Sequence, residues 1–227
     1  MCTILCRYDP DADVAVVLAA NRDEFRERAA DDPCEIAPGV FAGRDRVAGG
    51  TWLAVSRTGI AALTNVRADT RDPAAPTRGT LPLAALAGAL PPDLSIYNAF
   101  NLLVVDASGA RVVTHVVPGT PVRVTPLGTG THVVDNTPFG APSPRVERAR
   151  FLAGSTPIDF ELLGVHGNGP TDGLCHHGEI YGTVSATVVL LERDLRVRRY
   201  AHVGGPPCRG VPLDLTEPAR RVTGYSA

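Results

Sequence analysis

The sequence predicts an α+β fold, a four-layer αββα sandwich in which two antiparallel sheets pack face to face with helices laid outside them. Three observations lead there: four hairpin patterns recur along the chain, helical signals are few and fall between them, and the second residue is a cysteine.

The first hairpin joins residues 2–8, which alternate with a period of two, to the β-branched apolar run 14–20 through Asp9-Pro10-Asp11-Ala12-Asp13. The second joins 52–56 to 60–65 across Arg57-Thr58-Gly59, whose glycine suits a short turn. The third joins 101–106 to 111–117, and the fourth joins 183–191 to 195–200. A first helix is expected over 79–90, Ala/Leu-rich and stopped by Pro91-Pro92. A second is expected over 144–154, where Ser143 is the N-cap, Pro144 opens the first turn and Gly154 closes the last. A third, shorter one is expected over 157–163. Segments 67–78 and 118–144, rich in Pro, Gly, Thr and Asp, read as loops, and His166-Gly167-Asn168-Gly169 reads as a turn. No repeat or linker divides the chain, so residues 1–227 are expected to form a single domain.

Composition narrows the function classes. A net charge of −2 supplies no basic field for nucleic acid, and no apolar run approaches the roughly 20 residues that span a bilayer. With no signal-peptide pattern at its start, the chain is expected to be cytoplasmic. Five cysteines, Cys2, Cys6, Cys34, Cys175 and Cys208, are an odd number and read as reduced thiols. Cys175-His176-His177, with His202 and Cys208, match no standard metal-ligand spacing, so no metal is expected. No phosphate loop or dinucleotide fingerprint is present, and the expected partner is a small molecule.

Cys2 is the residue around which chemistry can be built. Removal of Met1 would leave it with a free α-amine, whose reference pKa near 8 lets it act as base beside the thiol. Pleating puts Cys2, Ile4 and Cys6 on one face, with Cys6 expected in the core. Antiparallel pairing then brings the polar cluster Asn21-Arg22-Asp23-Glu24 beside Cys2. There Arg22 could lower the thiol pKa and hold a substrate carboxylate, and Asp23 could orient the α-amine. Asn21 is a candidate for binding substrate. Trp52 suits a pocket wall or the core, the glycines of Gly43-Arg44-Asp45 and Gly49-Gly50-Thr51-Trp52 permit tight turns and close backbone approach, and Arg44 and Asp45 are expected to pair.

These residues sit in a series of motifs: Met1-Cys2-Thr3-Ile4-Leu5, Ala20-Asn21-Arg22-Asp23-Glu24-Phe25, Ala42-Gly43-Arg44-Asp45, Ala48-Gly49-Gly50-Thr51-Trp52, Ala62-Leu63-Thr64-Asn65, Phe100-Asn101-Leu102-Leu103 and Tyr181-Gly182-Thr183. In this order, over nearly the whole chain, they resemble the NRDE family, also called the transport-and-Golgi-organisation-2 family. The resemblance implies the N-terminal-nucleophile hydrolase fold, distantly similar to penicillin V acylases and bile-salt hydrolases, which cleave amides with an N-terminal cysteine supported by arginine, aspartate and asparagine. Carried over, Cys2 is the nucleophile with Arg22 and Asp23 as its partners. Asn136, in Val134-Asp135-Asn136-Thr137-Pro138, stands where the family usually has a Ser-Asn pair and is the candidate oxyanion donor, with Asn65 as a second candidate. The family's usual Tyr-Gly-Thr-Arg-Ser reads Tyr181-Gly182-Thr183-Val184-Ser185 here, without the arginine.

Two functions follow. One is an amidohydrolase that needs no cofactor, favoured by the intact Cys2, Arg22 and Asp23. The other is a carrier of haem or an acyl or lipid ligand in the same cleft, favoured by the missing arginine and by links of some family members to haem handling or lipid metabolism.

Overall fold

The computed structural model describes residues 2–69, 71–117, 119–167 and 172–224. Met1, and Asn168 and Gly169 of the expected turn, lie outside them. In chain order the elements are strands β1 (Thr3–Tyr8), β2 (Val14–Phe25), β3 (Ala30–Ala37), β4 (Val40–Asp45), β5 (Leu53–Ser56) and β6 (Gly59–Asn65), then a single 3-10 turn (Arg78–Thr80) and helix α1 (Leu81–Leu86). Strands β7 (Phe100–Asp106), β8 (Gly109–His115), β9 (Arg123–Leu127) and β10 (Gly130–Val134) lead into helices α2 (Pro144–Ala153) and α3 (Phe160–Leu163). Strands β11 (Tyr181–Glu192), β12 (Val197–Val203) and β13 (Leu213–Asp214) and helix α4 (Thr216–Thr223) complete the described elements.

The strands form two antiparallel sheets, one in the order β10-β1-β2-β11-β12-β13 and the other in the order β3-β4-β5-β6-β7-β8-β9. Alternation sorts the side chains of the first hairpin. Ile4, Cys6, Val16, Leu18 and Ala20 enter a core shared with Phe41, Leu53, Ile60 and Leu103 of the other sheet. Leu5, Val17 and Ala19 point the opposite way, against Val146 and Ala149 of α2 and Phe160, Leu162 and Leu163 of α3. On the far flank, Leu81, Ala85 and Leu86 of α1 cover Ala54, Ala61, Leu102 and Val104. The order of layers is therefore helix, sheet, sheet, helix, and burying each of these leucines contributes about 1.5–3 kcal/mol. Among the described residues no helix is long and apolar enough to cross a membrane.

All four predicted hairpins form. The structure adds β3, β4, β13 and α4 to them, and replaces much of the expected loop over 118–144 with β9 and β10. Four of the five added strands, β3, β9, β10 and β13, lie at sheet edges. Edge strands tolerate proline and need no continuous apolar run, and β3 carries Pro33 while β9 carries Pro126. The helix expected over 79–90 is shorter because Gly88 adopts φ +65. Gly88 N–H donates to Ala85 O at 3.1 Å and Ala89 N–H to Ala84 O at 2.8 Å, the paired bonds of a left-handed helix stop. The third helix shortens to begin at Phe160, whose N–H donates to Asp159 Oδ1 at 2.7 Å.

The β7–β8 turn carries a pH-dependent clamp. Burial opposes ionisation of Asp106, but the fork of Arg111, at 2.7 and 3.0 Å, and the Ser108 hydroxyl and N–H outweigh it and hold the carboxyl at about 2. A depressed carboxylate pKa stabilises the fold above its unfolded value of about 3.9, and that contribution is lost as pH falls toward about 2. With the side chain 22% exposed, solvent screening reduces the contribution to about 1 kcal/mol. Urea unfolding of Asp106→Asn is expected to show this deficit at pH 7 and almost none near pH 2.

Candidate active site

The β1–β2 pairing sets Thr3 opposite Asn21, so Cys2 lies beside Arg22 and Asp23 at one end of the central hairpin. The Cys2 thiol is partly exposed and points at the Asp23 carbonyl, 3.8 Å away. Burial pushes the thiol pKa up, and Arg22, although it pulls in the expected downward direction, is outweighed. Arg22 thus pulls the thiol in the expected direction without setting its net pKa.

Arg22 is buried and stacks over the Trp52 ring at 4.2 Å from its centre. Burial lowers its pKa. Trp52 lies where it does because residue 43 has no side chain: a Cβ on Gly43 would stand 2.7 Å from the indole. Gly50 allows a similar approach by backbone, since Thr51 N–H donates to Gly79 O at 2.8 Å and a Cβ at 50 would meet Gly79 at 2.4 Å. Arg44 and Asp45 do not pair with each other. Asp45 receives Arg28 through Nε at 3.0 Å and Nη2 at 2.7 Å, whereas Arg44 donates to Ile36 O at 2.9 Å. They diverge because neighbours on a strand face opposite ways.

Between these groups is a cavity of about 250 Å³, with Cys2, Arg22, Trp52 and Asn65 in its lining. Charged walls are completed by Glu24, Arg28, Asp45, Arg71, Asp72 and Arg78. Burial, with Arg71 and Arg28 nearby, brings the Arg78 guanidinium down to about 10, which still leaves it cationic at neutral pH.

Asp23 turns its carboxylate to the other side of the sheet. There Oδ1 accepts from the Thr183 hydroxyl at 2.6 Å, and Oδ2 lies 3.7 Å from Arg145 Nη1 and 3.9 Å from His176 Nε2. The Thr183 hydroxyl in turn accepts from His176 N–H at 2.9 Å, and the Tyr181 hydroxyl donates to the Asp23 carbonyl at 2.8 Å. Burial lowers the His176 pKa, so its neutral Nε2 can accept from Arg145 Nη2. Arg145 itself is 2% exposed at the second position of α2. A cation in a helix's first turn opposes the helix dipole, and that misplaced charge is the signal in the sequence that points to this ion pair.

The two candidate asparagines meet. Asn136 Nδ2 donates to the Asn65 carbonyl, and the Asn136 carbonyl accepts from Arg67 N–H at 2.9 Å. Asn65 lines the cavity and Asn136 is buried behind it. The loop carrying Asn136 is pinned by the fully buried Asn101, whose Nδ2 donates to Asp135 O at 3.0 Å and Thr137 O at 2.8 Å, while its Oδ1 accepts from the Thr114 hydroxyl and from Phe139 N–H. Asp135 Oδ2 accepts from the Ser143 hydroxyl at 2.6 Å, joining the same loop to the cap of α2 and so to Arg145. Asn21 is directed elsewhere: its Nδ2 donates to Leu163 O at 2.9 Å and Leu174 O at 2.8 Å, on the face opposite the cavity.

A family model described as Transport and Golgi organisation 2 matches residues 1–153. This chain belongs to that family. A comparison with curated proteins found no match. The part matching the transport and Golgi organisation 2 family contains Cys2, Arg22, Asp23, Trp52, Asn65, Asn101, Asn136 and Arg145, and it ends before β11. Val184 therefore falls outside it. The β2–β11 register shifts between Thr183 and Ser185, so Val184 is the extra residue of a bulge, in a hollow shared with Arg22, Arg26 and Arg28. The same hollow is lined by Asp31 and Asp32.

Proposed function

We propose that this chain is a cysteine N-terminal-nucleophile hydrolase that cleaves the C–N amide bond of a small acylated molecule. The observation that carries the reading is the Cys2 thiol lining a half-open cavity beside Arg22, a buried cation that feels Glu24 and Asp45 across the cavity but has no ion pair with a carboxylate among the described residues. Such a cation is suited to a carboxylate or a developing oxyanion.

Removal of Met1 frees the Cys2 amine. That amine takes the thiol proton as sulfur attacks the carbonyl, then delivers it to the leaving amine as the C–N bond breaks. Water hydrolyses the resulting thioester, releasing the acid and restoring the thiol. Asn65, which lines the cavity, is the preferred oxyanion donor, and Asn136 steadies it by bonding its carbonyl. Asp23, held by Thr183 and Arg145, acts as a positioning residue for the nucleophile's strand end. At about 250 Å³ the cavity is just below the usual range for ligand pockets, which favours a short acyl group. Its charged walls make a poor seat for haem or a long acyl chain.

Intact mass and peptide mapping after brief iodoacetamide treatment test the proposal. Met1 is expected to be absent, and Cys2 is expected to alkylate before Cys34 and Cys208, the exposed thiols. If Met1 is kept, the raised thiol pKa makes Cys2 alkylation slow at neutral pH and still climbing in alkali, and the self-activated mechanism falls. A Soret band on haem titration, together with inert Cys2, would turn the reading to a carrier.

A further inference from the structure

Away from the cavity, the fold gathers four metal-ligating side chains from three segments. His166 follows α3, Cys175 and His177 precede β11, and Cys208 sits in the turn between β12 and β13. Their ligand atoms all lie within 4.8 Å of one another. The two sulfurs are 3.6 Å apart, the two Nε2 atoms 3.2 Å, and Cys175 Sγ is 3.6 Å from His177 Nε2. A tetrahedral zinc with bonds of about 2.3 Å to sulfur and about 2.0–2.1 Å to nitrogen sets sulfurs about 3.8 Å apart and nitrogens about 3.3 Å apart. The contact furthest below such a tetrahedron is His177 Nε2 to Cys208 Sγ at 3.0 Å, which would open by about half an ångström on metal binding.

We propose that His166, Cys175, His177 and Cys208 form a structural zinc site. The backbone already shapes it. Val165 O accepts from both Leu174 and Cys175 N–H, at 3.0 and 3.1 Å, and Pro206 O accepts from Arg209 and Gly210 N–H around Cys208. Four protein ligands close the coordination sphere, which makes the metal a staple and not a catalyst, and two thiolates with two imidazoles select zinc over magnesium or calcium. Alternation along Cys175-His176-His177 sends the flanking side chains to the metal while His176 turns to Asp23, so the staple also fixes that segment against the nucleophile's hairpin. All four ligands lie beyond the part that defines the family membership.

Elemental analysis of the full chain, freed of any histidine tag, is expected to find about one zinc per chain. Cys208→Ser and His177→Ala are expected to lower this at least about tenfold while cooperative unfolding persists. Because either variant could misfold, X-ray absorption at the zinc edge of the unaltered protein is the second measurement, with two sulfurs and two nitrogens expected. Metal-free protein that binds no added Zn²⁺, a different donor set, zinc unchanged in folded Cys208→Ser, or the mass loss of a Cys175–Cys208 disulfide in freshly purified protein would each overturn the site.

Discussion

Cys2→Ala is expected to abolish the burst of nitrophenolate that the unaltered protein releases from p-nitrophenyl acetate, and to lower steady-state hydrolysis of that ester at least about 10³-fold. The reason is stoichiometric. In the proposed reaction each turnover passes through a thioester on Cys2, so without sulfur no acyl-enzyme forms, and the first turnover cannot outrun the later ones. Cys2 is partly exposed at the strand's end, and the core below it is carried by Ile4 and Cys6. The variant should therefore fold, and the loss can be assigned to chemistry. Equal bursts from both proteins would place any esterase activity on another group, Cys34 being the exposed thiol outside the proposed zinc site.

The second large effect concerns stability. Arg145→Ala is expected to lower the unfolding free energy on the order of 3 kcal/mol, because it removes a buried cation from beside the buried Asp23 carboxylate. Arg145→Lys should recover little, since one ammonium cannot both face Asp23 and donate to His176 in the manner of a planar guanidinium. Denaturant titrations of Arg145→Ala, Asp23→Asn and the double variant check the cause. The double variant should lose clearly less than the sum of the two single losses. Additivity would mean that the pair is not coupled and that the loss comes from packing around α2.

The contrast between these two residues marks how much could be read from the chain. Cys2, Arg22 and Trp52 belong to contiguous motifs, and hairpin pairing alone brings Arg22 beside Cys2. Strands with a buried apolar face were legible for the same reason, as in 14–20 and 183–191. Edge strands were not, because β3 and β9 carry prolines and face less of the core, so their sequences resemble loops. Arg145's charge in a first turn marks it as unusual, but its partner was hidden by distance: Arg145 and His176 meet Asp23 only once α2 has packed on the first sheet and β11 has paired with β2. The four ligands of the proposed zinc site share no sequence spacing, since the turn carrying Cys208 comes back to the segment before β11 after a full hairpin. Asn21 was misleading in the opposite way: it sits within the most informative motif, yet pleating turns its amide toward α3.

The position of β1 bears on the order in which the protein can be made. Its neighbours are β2, the next strand to emerge, and β10, and β2 in turn waits for β11 to cover its other side. On a ribosome extending the chain at about 5–20 residues per second, the first hairpin is thus left with open flanks for several seconds. Contacts so distant in sequence close late and slowly. For that interval the strand end carrying Cys2 stands open, within reach of a processing peptidase, and the flanks of the first hairpin are covered only once β11 has been made.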